Sequence, residues 1–64
     1  MEEKVWLGYD ITQLSICEKY LEDAKRVLVD VSDTDKIYEE IHYLIEKVIE
    51  LKSDKENKYE SMVI

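Results

Sequence analysis

The sequence predicts an all-α fold, an antiparallel two-helix hairpin that dimerises into a four-helix bundle. Three observations lead there. The 64 residues include no proline and a single glycine, so little in the chain forces a break in a long helix. Apolar residues recur in two stretches at alternating steps of three and four, the spacing of one helix face. A short run of residues suited to helix N-caps lies between the two stretches.

Residues 1–9 read as an N-terminal arm, in which Val5, Trp6, Leu7 and Tyr9 are apolar and Gly8 interrupts them. Asp10 is expected to open the first helix. Asp10 and Gln13 have capping-box spacing, and Tyr9 with Leu14 has the spacing of a hydrophobic staple. The seam then runs through Leu14, Cys17, Leu21, Ala24, Leu28 and Val31, a heptad pattern. Tyr20 and Val27 widen it, Ile11 and Val29 fall outside it, and Glu22 with Arg26 forms a favourable i,i+4 pair.

Ser32-Asp33-Thr34-Asp35 is the expected turn, with Ser32 and Asp35 at capping-box spacing. The second seam is Ile37, Ile41, Leu44, Val48 and Leu51, widened by Tyr38 and Ile45. The hairpin therefore occupies 10–52, with helices over about 11–31 and 34–52. Each is about 30 Å long, and equal lengths with a short connection favour antiparallel neighbours. Residues 53–64 read as a tail: Lys52 to Lys58 contains no apolar residue, and Tyr59, Met62, Val63 and Ile64 are apolar again. The competing fold is α+β, with Arg26 to Val31 as a strand. An unbroken heptad through Leu28 and Val31 argues against it.

Size and composition point to a partner. A chain near this length buries only about 60% of its unfolded surface. One cysteine and one histidine supply neither an internal disulfide nor a closed zinc site, so oligomerisation is the expected remedy. The balance of 16 acidic against 9 basic residues gives a net charge of −7. That disfavours direct nucleic-acid binding and docking on anionic lipid, and it suits a protein partner with a basic surface. No apolar run reaches membrane-spanning length, and Met1-Glu2-Glu3-Lys4 is not the start of a signal peptide. A lone cysteine suits a reducing compartment, so the expected location is the cytoplasm.

No catalytic signature emerges, and no cofactor is expected. Glu39 and His42 have the Glu-x-x-His spacing of di-iron bundles, but both fall on the solvent side of the second seam, so no metal site is expected. Cys17 lies on the first seam, far from the histidine, and reads as a small core residue. Glu39, Tyr43, Glu46 and Glu50 form an acidic line with an aromatic in its middle, facing away from the core. With Trp6, which lies outside both seams, they are the candidate partner-binding residues. The expected function is non-enzymatic: an acidic protein-binding regulator (an inhibitor, antirepressor or adaptor, of phage or mobile-element type) that occupies a surface of a larger protein. The alternatives are an assembly subunit pairing with a different chain, and a DNA mimic that blocks a nucleic-acid-binding protein.

Overall fold

A computed structural model describes residues 2–62 of the chain. It is a hairpin of two α-helices, α1 over Glu2–Leu28 and α2 over Asp35–Ser61, each 27 residues long. Each is about 40 Å long, and the hairpin measures 50 × 14 × 12 Å. The described residues contain no strand, and Arg26 to Leu28 complete α1.

Both helices outrun their expected ends. Residues 2–9, read as an arm, are the first turns of α1, and residues 53–61 of the expected tail continue α2. Asp10 is therefore inside a helix, and its capping-box partner Gln13 plays no such part. The reason is visible in the pairing between the two ends. Lys58 Nζ lies 3.1 Å from Glu3 Oε1, and Lys55 Nζ donates to Asp10 Oδ2 at 3.1 Å. Lys4 Nζ sits 5.3 Å from the centre of the Tyr59 ring, a cation–π distance. Each end is helical because the other covers it. Of the expected tail, Val63 and Ile64 lie outside the described residues.

Gly8 fits this packing without requiring glycine. A Cβ added there would meet Tyr59 Cε2 at 3.6 Å, an ordinary van der Waals contact. Alanine is better than glycine in a helix interior by about 1 kcal/mol. Gly8→Ala is therefore expected to stabilise the protein by about 1 kcal/mol, raising its melting temperature by roughly 4–8 °C for a domain of this size. Thermal unfolding followed by circular dichroism checks this.

The connection spans 29–34, starting earlier than the expected Ser32. Amides of Val29, Asp30 and Val31 donate to Arg26, Val27 and Leu28 carbonyls at 3.3, 3.4 and 3.0 Å. These i→i+3 bonds tighten the end of α1. Val31, expected on the first seam, lies in this connection and is exposed. Asp33 adopts φ 61°, the left-handed region that aspartate tolerates better than most residues. Ser32 is not the cap of α2. Thr34 holds the cap position, and it makes no side-chain cap bond. Its hydroxyl faces backwards instead, 3.2 Å from the Leu28 carbonyl and 3.0 Å from that of Val31. Thr34 thereby ties the end of α1 to the start of α2, while its own carbonyl accepts from the Tyr38 amide at 2.8 Å.

The line along which the helices meet is rotated from the expected one. On α1 it contains Lys4, Leu7, Ile11, Leu14, Glu18, Leu21, Lys25 and Leu28; on α2 it contains Ile41, Ile45, Val48, Lys52, Lys55 and Tyr59, all buried or half-buried. Steps of three and four persist throughout, so this is a heptad seam of an antiparallel pair. Leu7 and Ile45 are its deepest residues, 6% and 3% exposed. Leu14, Leu21, Leu28, Ile41 and Val48 belong to it as expected. Cys17 and Ala24 do not, and both are exposed. Ile37, Leu44 and Leu51 are also exposed. Ile11, expected outside, is on the seam.

Candidate interaction surfaces

The seam carries charge at its middle. Lys52 Nζ donates to Glu18 Oε1 at 2.7 Å, with both side chains largely covered. A short charge-assisted bond of this kind is stronger than a neutral one. The bond to Glu18 raises the Lys52 pKa above its ordinary 10.5; burial opposes this, and the nearby Glu18 and Glu56 charges add to it. A lysine whose folded pKa is raised adds stability that is complete below the unfolded pKa and is lost as pH climbs through the folded one. Stability is therefore expected to be flat from neutral pH towards 10 in this respect and to fall beyond about 10.5. Denaturant titrations across that range check the sign. Toward the turn, Lys25 Nζ lies 5.4 Å from the centre of the Tyr38 ring. The polar network is thus supplied from both sides: Lys52 and Lys55 of α2 meet carboxylates of α1, and Lys4 and Lys25 of α1 lie over tyrosines of α2.

Rotation of the seam leaves an apolar flank uncovered. On α1, Glu3, Asp10, Cys17 and Ala24 recur every seven residues; on α2, Ile37, Leu44, Leu51 and Lys58 do the same. The Glu3–Lys58 ion pair shows that these two lines border one side of the hairpin. A shallow groove there is lined by Tyr9, Asp10, Gln13, Leu14, Leu51 and Lys55. Toward the turn the inner lines of the flank are apolar: Cys17 and Ala24 from α1, with their outer neighbours Tyr20 and Val27, lie on the same side as Ile37, Leu44 and Leu51 from α2, whose outer neighbours are Glu40, Lys47 and Asp54. Leu44 is 50% exposed and Tyr20 66%. Cys17, expected as a core residue, is an exposed free thiol on this flank. The residues that had been read as two buried seams are thus shared between the true seam and this flank.

The acidic line on α2 lies on its outer side. Glu39, Tyr43, Glu46 and Glu50 are all exposed, Tyr43 at 58%. Lys36, Glu39, Glu40, Tyr43 and Leu44 line a shallow depression. The line is not purely acidic, because Lys47 Nζ lies 5.2 Å from the Tyr43 ring centre. His42 Nε2 is 3.1 Å from Glu46 Oε1, one turn along the same helix, so its nearest carboxylate is Glu46 and not Glu39. Among the described residues, no group of three or more His, Cys, Asp and Glu side chains is placed to hold a metal ion.

Trp6 is 64% exposed, near the open end of α1, and packs edge-on against Tyr9 with ring centres 6.1 Å apart. It is on a helix and not on an arm, and the structure does not bring it to the Tyr43 line, which lies on the other helix nearer the turn. The residues that sequence reasoning missed are the seam charges Glu18, Lys25, Lys52 and Lys55. Their signal was present, since they continue the three-four spacing of Leu14, Leu21 and Val48, but polar residues mask that spacing. No helix of the described residues is long and apolar enough to cross a membrane. No protein-family model, curated protein or solved structure matches the chain.

Proposed function

We propose that the chain is a non-enzymatic, acidic protein-binding regulator, of the inhibitor, antirepressor or adaptor kind, which occupies a basic surface on a larger protein. The observation that carries this reading is the exposed Tyr43 standing among the Glu39, Glu46 and Glu50 carboxylates on the outer side of α2. An aromatic that offers large contact area at low entropic cost, with carboxylates outnumbering lysines around it, suits a partner with the opposite charge. The net charge of −7 favours the same class of partner and speeds its encounter. Lysines interleaved with the carboxylates, Lys36 and Lys47 among them, make the surface unlike a phosphate backbone, so protein recognition is favoured over DNA mimicry.

A photo-crosslinking side chain at position 43 tests this in a lysate of the source organism. One protein is expected to be captured, to rebind when purified, and to be released as salt is raised. Reversing Glu39, Glu46 and Glu50 together to lysine is expected to abolish capture. Absence of an adduct, or an adduct indifferent to the reversal, would overturn the reading.

A further inference from the structure

We infer that the apolar flank bordered by Cys17, Ala24, Leu44 and Leu51 is the self-association surface of the protein, and that a second copy covers it to complete a four-helix bundle. The first support is area. The chain exposes 5184 Å², whereas a compact monomer of its 7.7 kDa mass exposes about 4,300 Å². The excess of about 900 Å², set by the elongated 50 × 14 × 12 Å form, leaves room for the ~800 Å² that each partner contributes to a standard interface. The hairpin on its own has only Leu7 and Ile45 as buried apolar side chains among the described residues.

The second support is pattern. A two-helix coiled coil needs only the two lines of its seam to be apolar, whereas a helix in a bundle needs a third line beside them. Here that third line is present on both helices and on the same flank. Ile37 to Leu51 spans about 21 Å along α2, facing Cys17 and Ala24 across the seam.

The third support is charge. Two copies at −7 each repel one another, so close approach needs a face without unpaired carboxylates. The inner lines of this flank meet that condition: the turn half is uncharged along both, and at the open end Glu3 is paired with Lys58 and Asp10 with Lys55; its carboxylates Glu40 and Asp54 stand on the outer α2 line, with Lys47 between them. The opposite flank instead carries Ser15, Glu22, His42 and Glu56 with a single exposed apolar residue, Ile49, among them. A face that is self-complementary in this way forms an isologous contact, with the same residues used by both copies.

Sedimentation equilibrium of the intact chain tests the inference, with salt as a second variable. The expected species is a dimer at twice 7.7 kDa, and association is expected to tighten as salt screens the repulsion between acidic copies. Binding of a basic partner to the Tyr43 face would weaken under the same change, so the two surfaces fail separately. Leu44→Glu and Tyr20→Glu are each expected to weaken association at least tenfold, and Tyr43→Ala to leave it unchanged. Tyr20 points out from the helix pair, so its variant keeps the hairpin helical even where Leu44→Glu unfolds. A monomer at all concentrations and salts, or a dimer indifferent to Tyr20→Glu, would overturn the inference.

Discussion

Ile45→Asp is expected to abolish the fold. Ile45 is the most buried residue described, 3% exposed, in the turn half of the α2 seam. Replacing a buried isoleucine by a small residue costs about 2–5 kcal/mol. A carboxylate there adds a desolvation cost of several kcal/mol. A domain of this size rarely has more than about 3–5 kcal/mol to lose. Circular dichroism is expected to show loss of most helical signal, whereas Ile49→Asp, at an exposed position on the same helix, is expected to keep it. Retention of full helicity in Ile45→Asp would place the seam elsewhere.

Glu18→Lys is expected to have the second largest effect. It would set two ammonium groups against each other at a largely covered position where Lys52 now donates at 2.7 Å. Loss of a hydrogen bond between charged groups costs about 1.5–3 kcal/mol, and repulsion adds to it. Combining it with Lys52→Glu restores opposite charges in reversed order. The double variant is expected to recover about 2 kcal/mol relative to the sum of the single effects, a coupling typical of residues in direct contact. Urea midpoints measured at constant slope report it. Additivity of the two changes would mean that the pair does not form.

The pair also explains what the sequence could and could not reveal. Two helices, their antiparallel order and a polar connection near Ser32 were legible, because each rests on local spacing. Leu14, Leu21, Leu28, Ile41 and Val48 were legible as seam residues for the same reason. Which side of each apolar stripe faces the other helix was not. The α2 stripe is three lines wide, and any two adjacent lines satisfy the three-four spacing; on α1 the second seam line, Lys4, Ile11, Glu18 and Lys25, lies outside the apolar stripe because three of its four residues are charged. The choice is made by contacts between distant residues: Glu18 meets Lys52 from 34 positions away, and Asp10 meets Lys55 from 45. These draw the seam through Glu18 and Ile45, and they leave Cys17, Ala24, Leu44 and Leu51 on the flank.

The ends were misread through the same gap. Gly8, the Asp10–Gln13 spacing and the apolar-free run 52–58 each resemble a helix boundary when viewed alone. Across the hairpin these stretches are joined by Glu3–Lys58, Asp10–Lys55 and Lys4–Tyr59, and Leu7, within the first of them, is 6% exposed. For the partner surfaces, the exposed position of Tyr43 was legible from its distance to the seam. The flank was legible only as part of a single seam shared between core and dimer, since local spacing does not separate Cys17, Ala24, Leu44 and Leu51 from Leu14, Leu21, Ile41 and Val48.

On the inferred division of surfaces, the apolar flank meets a second copy and the outer side of α2 stays open. Methyl and aromatic NMR signals read against a soluble paramagnetic probe test it most directly. At high protein concentration the Leu44 and Leu51 methyls are expected to be shielded from the probe, becoming accessible on dilution, while the Tyr43 ring is accessible throughout. Leu44 and Leu51 methyls that remain accessible at every concentration, or a Tyr43 ring that becomes shielded as the protein self-associates, would contradict it.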